Sequence, residues 1–240
     1  MEAILLCGGL GTRLRSVVSD RPKPMADIAG KPFLHYFVRM LSEKGVERFV
    51  FALGYMGEQI KAFFQDGREY GISIVYSYEE SPLGTGGAIR NALPKMQEED
   101  VLILNADTYF DTDYRSLFQE QSRKCADMTI ASREIEDVSR YGAILKDTDG
   151  RILRWNEKQS GSGETAPKRG EINGGIYVMK KSLIEKIPAG KQSLENDCIP
   201  VWLSHSINIH ALRSDGYFMD IGVTEDYRRF QEDVQSGKIV

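Results

Sequence analysis

Three glycines follow a short apolar run near the amino terminus, and two cations follow the glycines: Gly8-Gly9-Leu10-Gly11-Thr12-Arg13-Leu14, then Lys23 held between Pro22 and Pro24. Glycine lacks a Cβ, so the backbone there can turn tightly and bring its N–H groups against a ligand. Those groups form an anion cradle to which Thr12 can add a hydroxyl. Arg13 sets a fixed cation at the rim, and Lys23 a second one ten positions later. Such residues at this spacing suit a polyphosphate whose charge is neutralised while one phosphorus is attacked. Asp107, in Asn105-Ala106-Asp107-Thr108, joins the same chemistry from the end of an apolar run. A bare carboxylate beside a triphosphate repels it unless Mg²⁺ lies between them.

These groups need a scaffold, and the hydrophobic pattern supplies one. Residues 3–7 have the length of a buried strand and show no alternation, the pattern of a strand covered on both faces. The residues exclude two other phosphate loops. A Walker loop ends Gly-Lys-Ser/Thr, whereas this one ends Gly-Thr-Arg. A dinucleotide fingerprint opening at Gly9 would need a glycine where Leu14 stands, and an acid closing the second strand. That strand, expected at 48–53, ends at Gly54 with no acid. Phe33, Leu34, Phe37, Val38 and Leu41 predict a helix over 31–44. A helix over 56–64 and a strand over 72–76 follow. Alternating helices and strands predict an α/β, Rossmann-like fold: a mixed, mostly parallel sheet with helices on both faces.

Further along, a strand at 101–104 precedes Asp107, and Asp111 and Asp113 read as turn and helix-cap residues before a helix over 114–124. A strand over 127–132 closes the first half. A hairpin is expected about the turn 147–150, between 141–145 and 152–155. Residues 159–170, rich in Gly, Ser, Thr and charge, predict a loop that could serve as a lid. The strand 172–178 opens with Gly174-Gly175. Ser193 or its predecessor caps a helix in capping-box style, Thr224 is expected to cap the last helix, and Glu225 and Asp226 suit its first turn.

Gly8-Gly9-Leu10-Gly11-Thr12-Arg13-Leu14 with Pro22-Lys23-Pro24-Met25 resembles the signature of the sugar-phosphate nucleotidyltransferases, and later matches extend the likeness over nearly the whole chain. The resemblance implies one glycosyltransferase-A-like domain over 1–240. Residues 1–135 would bind nucleotide and 136–240 sugar phosphate. The implied reaction joins a nucleoside triphosphate to a sugar 1-phosphate and releases pyrophosphate, with Mg²⁺ as cofactor. Arg13 and Lys23 would be catalytic, and Leu6, Gly8, Gly9, Gly11, Thr12, Glu79, Pro82, Gly84 and Thr85 would hold the nucleotide. Asp107 and Asp220, the latter in Asp220-Ile221-Gly222-Val223, would hold the metal. Gly142, Glu157, Lys158, Asn173, Gly174 and Glu195 would meet the sugar 1-phosphate. Glu157 and Asn173 can grip hydroxyls, and Lys158 can neutralise a phosphate. Ala106 stands where the family has Gly, adding one methyl group near the metal motif.

The base is addressed by Glu79-Glu80-Ser81-Pro82-Leu83-Gly84-Thr85-Gly86-Gly87-Ala88, a segment similar to that of guanylyl-type members. Guanine offers two adjacent donors, N1–H and N2–H, which one carboxylate can accept side by side. Glu79 or Glu80 could supply it, and alignment with the family favours Glu79. Within the family the likeness runs to the members acting on D-glycero-α-D-manno-heptose 1-phosphate, whose GDP-heptose serves surface polysaccharides or S-layer glycans. Mannose 1-phosphate guanylyltransferases and N-acetylmuramate 1-phosphate uridylyltransferases are the alternatives. A module that senses nucleotide or sugar phosphate without chemistry is the alternative of another class.

Composition bounds the rest. A net charge of −4 with no basic block argues against a nucleic-acid partner. No apolar run approaches the roughly 18–20 residues that span a bilayer. Cys7, Cys125 and Cys198 are scattered, with no C-x-x-C pair, which suggests a reducing cytoplasm and neither a disulfide frame nor a zinc site. Cys7 reads as packing, and His35, His205 and His210 carry no assigned role. A homo-oligomer is compatible with this sequence.

Overall fold

Alternate side chains of the first strand enter two different cores, as an apolar run without polar positions requires. In β1 (Glu2–Leu6), Ala3 and Leu5 join one buried cluster and Ile4 the other. The computed structural model describes residues 1–9, 20–138, 143–156 and 169–239. After β1 come the short pair β2 (Asp27–Ile28) and β3 (Lys31–Pro32), α1 (Phe33–Glu43), β4 (Arg48–Leu53), α2 (Gly57–Phe64), β5 (Ser73–Tyr78) and α3 (Gly84–Ala92). Next are β6 (Asp100–Asn105), β7 (Thr108–Phe110), α4 (Tyr114–Arg123), β8 (Met128–Ile135), β9 (Ala143–Lys146), β10 (Ile152–Asn156) and β11 (Gly170–Lys180). The chain continues through α5 (Lys181–Ile184), α6 (Ile199–Ser204), β12 (Ile209–Arg213), β13 (Phe218–Asp220) and α7 (Thr224–Gln235).

The main sheet has the order β10-β9-β11-β6-β1-β4-β5, with β8 on β11 and β12 on β8. β11 and β10 run against the other strands, so the sheet is mixed and mostly parallel. Leu6 lies opposite both Ala52 and Asn105. The carboxyl ends of β1, β4 and β6 therefore meet at one edge, where open α/β sheets bind ligands.

Helices cover both faces. Phe33 and Phe37 of α1, Phe64 of α2, Leu117 of α4 and Phe230 of α7 pack on one side. Ile89 of α3, Ile184 of α5 and Trp202 of α6 pack on the other. In α1 the predicted stripe Phe33, Leu34, Phe37, Val38 and Leu41 is fully buried. Each such burial is worth roughly 1.5–3 kcal/mol, so tertiary packing and not helix propensity holds this segment.

Several boundaries differ from the sequence reading, each for a local reason. α1 begins at Phe33, because Lys31 and Pro32 pair with β2, and Pro32 is its extended N-cap residue. Val223, not Thr224, is the N-cap of α7; it is extended (φ −129°, ψ 156°) and the helix starts one residue later. Ser193 does cap, accepting from the Asn196 N–H at 3.1 Å, but what it opens is a π-helical turn, Leu194–Cys198. The reciprocal bond there comes from Asp197, whose carboxylate accepts the Ser193 N–H at 2.7 Å, as the wider turn brings position 197 back over the cap. β11 begins at Gly170, two residues before the predicted strand, and residues 159–168 lie outside the described ones. Asp113 caps α4 as expected, accepting from Arg115 and Ser116. His35 is a packed histidine, its Nδ1 2.8 Å from the Tyr70 hydroxyl. Among the described residues no helix is long and apolar enough to cross a membrane.

Candidate active site

Lys23 opens a 3-10 turn, Lys23–Met25, whose Pro24 and Met25 are buried. The Met25 N–H donates to the Pro22 carbonyl at 2.8 Å, so the backbone under the lysine is anchored. Its ammonium lies 2.7 Å from Asp107 Oδ2 and 3.3 Å from Asp220 Oδ1. Asp107 follows β6 at the sheet's carboxyl edge. Asp220 ends β13, which pairs antiparallel with β7 so that Asp220 stands opposite Thr108. The Ile221 N–H donates to the Asp107 carbonyl at 3.1 Å, and the Gly222 N–H to Asp220 Oδ1 at 2.7 Å. This small two-stranded sheet carries both carboxylates to the lysine.

One ammonium faces two carboxylates, and the titration of all three reflects it. Burial of Lys23, whose side chain is 9% exposed, favours the neutral amine, but Asp107 and Asp220 outweigh it and its pKa is raised. Desolvation pushes Asp107 up, and Lys23 beside it prevails, leaving that carboxyl below its usual range. Asp220 goes the other way: burial and the Asp107 charge push it up, and Lys23 compensates only in part. The surplus is negative and the donors are all oxygen, which fits a hard divalent cation. Mg²⁺ takes one or two carboxylates, with phosphate oxygens and water completing its octahedron. Among the described residues no group of three or more His, Cys, Asp or Glu forms a metal site of its own. Asp107, at 40% exposed, and Asp220, at 20%, remain partly open to solvent.

The segments expected to hold the nucleotide meet at the same edge. Leu6 is the last residue of β1, and Gly8 follows so close to Glu79 that a Cβ on Gly8 would lie 2.7 Å from Glu79 Oε1. Glu79 is half-buried just beyond β5; its Oε2 accepts the Leu83 N–H at 2.9 Å, and burial raises its pKa. Glu80 is exposed, as is Pro82, whereas space beside Gly9 is open. Gly84 has φ +70°, and a Cβ there would lie 2.5 Å from the Gln192 carbonyl oxygen, so only glycine fits. The Gly86 and Gly87 N–H groups both donate to that carbonyl, at 2.9 and 3.2 Å. The amino end of α3 is thereby docked on the segment that carries Glu195.

Thr85 Oγ1 donates to Glu195 Oε2 at 2.6 Å. Asn173 precedes Gly174 in the irregular stretch of β11 that faces β8, and its amide donates to the Tyr177 hydroxyl at 2.6 Å. The structure therefore brings together Lys23, Asp107 and Asp220 in one group, Gly8 and Glu79 in a second, and Thr85, Asn173 and Glu195 in a third. Gly11, Thr12, Arg13, Gly142, Glu157 and Lys158 lie outside the described residues. Tyr177, which joins Asn173 to Glu195, escaped the sequence reading. The signal is a tyrosine within the apolar run Ile176-Tyr177-Val178-Met179, since a buried hydroxyl requires a partner.

Residues 2–237 match the family model described as nucleotidyl transferase. The chain is 42% identical over 236 residues to the D-glycero-alpha-D-manno-heptose 1-phosphate guanylyltransferase of Aneurinibacillus thermoaerophilus, covering 98% of this chain and 99% of that protein. It is 38% identical over 230 residues to the protein of the same description from Campylobacter jejuni, covering 96% and 98%. Among solved structures, HddC from Yersinia pseudotuberculosis superimposes with a TM-score of 0.86 at 35% identity, over 97% of this chain and 99% of that one. HddC complexed with GMP-PN gives 0.84 over the same shares.

Proposed function

The chain belongs to the nucleotidyl transferase family, and we propose that it joins GTP to D-glycero-α-D-manno-heptose 1-phosphate, yielding the GDP-sugar and pyrophosphate. The observation that carries this reading is the Lys23 ammonium shared by Asp107 and Asp220 at the carboxyl edge of the sheet. End-to-end similarity to two heptose 1-phosphate guanylyltransferases supports the choice of substrates.

In this reading a phosphate oxygen of the sugar 1-phosphate attacks the α-phosphorus in line. The new P–O bond forms as the bond to pyrophosphate breaks. No protein nucleophile takes part; the Cys7 thiol, pushed far up by burial, is not one. Lys23 neutralises the α-phosphoryl group, and Arg13, placed by the family signature, the leaving pyrophosphate. Asp107 and Asp220 would hold Mg²⁺, which when bound offsets charge on the α-phosphate and the incoming phosphate. Glu79 keeps acceptor capacity beyond the bond from Leu83, enough for the paired N–H donors of guanine. Asn173 and Gly174, with Gly142, Glu157 and Lys158 from the sequence, serve the sugar end, and Glu195 stands behind Asn173, its carboxylate accepting from Thr85, Ser193 and Tyr177. Catalysis is then positioning and electrostatics. Three free thiols suit a reducing cytoplasm, and the product would feed surface polysaccharide synthesis.

The test is pyrophosphate release from GTP and the heptose 1-phosphate with Mg²⁺, together with mass identification of the sugar nucleotide. One pyrophosphate per GDP-heptose supports the reading. GTP bound without any pyrophosphate released contradicts it and favours a sensor.

A further inference from the structure

The hydroxyl of Tyr177 sits at the junction of two hydrogen-bond arms that end on one carboxylate. It donates to Glu195 Oε1 at 3.1 Å and accepts from Asn173 Nδ2 at 2.6 Å. The other Glu195 oxygen accepts from Thr85 Oγ1 at 2.6 Å and from Ser193 Oγ at 3.2 Å. Thr85 Oγ1 in turn accepts the Leu194 N–H at 2.8 Å. An ionised carboxylate offers about four lone-pair sites, and hydroxyl donors fill three of those on Glu195. Glu195 is thus mainly a fixed anchor for its neighbours, with little acceptor capacity left for a sugar.

The consequence falls on Asn173. Its Oδ1 accepts the Gly175 N–H at 2.9 Å, while its Nδ2 is held by Tyr177. These two bonds fix which end of the amide is which, because the reverse orientation would set an NH₂ against an N–H. One N–H and one lone pair of the amide remain free of these contacts, a matched donor and acceptor for vicinal hydroxyls. The orientation depends on the Tyr177 oxygen having an acceptor of its own, and Glu195 is that acceptor. Tyr177 is fully buried and Thr85 lies on the first turn of α3, so the chain of bonds runs from α3 to β11 through half-buried side chains that meet at one buried hydroxyl.

We propose that Tyr177 is a positioning residue that sets the Asn173 amide for the sugar 1-phosphate and, through Glu195, ties that setting to Thr85 on the nucleotide side. This inference rests on the function proposed above. Its test is steady-state pyrophosphate release by Tyr177→Phe, Thr85→Val and Thr85→Ser beside the unaltered chain, with the fold of each checked by circular dichroism. Tyr177→Phe should raise KM for the sugar 1-phosphate about tenfold, the size of one lost neutral hydrogen bond, and leave KM for GTP unchanged. A purely structural role would lower the melting temperature and leave both KM values alone. Thr85→Val, on a partly exposed helix turn and so tolerant of change, should raise both KM values, and Thr85→Ser should restore them. Unchanged sugar KM in Tyr177→Phe, or in Thr85→Val while GTP binding weakens, overturns the coupling even though the unaltered chain turns over. No turnover by the unaltered chain with any sugar 1-phosphate overturns the coupling together with the proposed function.

Discussion

Asp220 stands opposite Thr108 across the ladder of β7 and β13, and the Ile221 N–H closes on the carbonyl of Asp107 at 3.1 Å. Backbone bonds, independent of what the side chains bind, therefore fix the spacing of the two carboxylates. Lys23 reaches them from a separate turn made rigid by flanking prolines. A charged trio assembled on rigid elements before substrate arrives costs little reorganisation when charge develops at a phosphorus.

Removing any one of the three should cost turnover far more than fold. Lys23→Ala and Asp107→Ala are each expected to lower kcat about 10²–10³-fold, the usual loss for one preorganised electrostatic contact. Circular dichroism and urea midpoint should stay near those of the unaltered chain. Near-normal kcat in either variant would take that residue out of the site.

Glu79→Gln keeps the shape of the side chain and swaps one carboxylate oxygen for an NH₂ group. Paired guanine donors would then lose an acceptor, so GTP should weaken about 10–100-fold. UTP, which offers one donor, should change less. Equal losses for both nucleotides would mean that Glu79 only clamps the Leu83 N–H.

Gly84→Ala tests the docking of α3 on the segment bearing Glu195. The left-handed φ of +70° and the Gln192 carbonyl at 2.5 Å from the new Cβ should together cost about 2–4 kcal/mol. Urea unfolding measures it, and a midpoint shift within error would show that the helix start can relax.

The parts of this molecule that follow from local chemistry were legible in its sequence. The stripe on α1, the buried run of β1, the Asp113 cap and the hairpin turn at 147–150 each depend on neighbours within a few residues, and each stands where the pattern puts it. Lys23, Asp107 and Asp220 were separately recognisable from residue type and from the family signature. The three-residue pairing of β7 with β13 that joins them is too short and too distant in sequence to leave a periodic trace. Thr85, Asn173 and Glu195 are each named by the family resemblance, but the bonds that link them through Tyr177 leave no local trace, because they form only where three segments meet. At Ser193 the sequence marks the cap but not the π-helical turn that follows it, because nothing local distinguishes a π-helical turn from an α-helical one.

Acid should weaken the fold partly through His210. Burial holds its imidazole neutral and Lys124 adds to that, against Asp149 and Glu120, so its folded pKa lies below the ordinary 6.5. The unfolded chain then takes up a proton that the folded chain resists. The stability His210 supports is whole above pH 6.5 and is lost as pH falls through the folded value. In His210→Asn the slope of urea stability between about pH 7 and 5 should flatten. An identical slope would assign the acid sensitivity to other groups, such as His35, whose pKa burial also lowers.

The charged trio and Glu79 are proposed to serve a guanylyl transfer to a heptose 1-phosphate. It is tested most directly by Mg²⁺-dependent pyrophosphate release with GTP, ATP, UTP and CTP each crossed with the 1-phosphates of heptose, mannose, glucose and N-acetylmuramate. The expected result is turnover concentrated at GTP with D-glycero-α-D-manno-heptose 1-phosphate and abolished by chelation. Stronger turnover with UTP, or with a different sugar, would contradict the proposed substrates. Silence in every combination would contradict the enzyme.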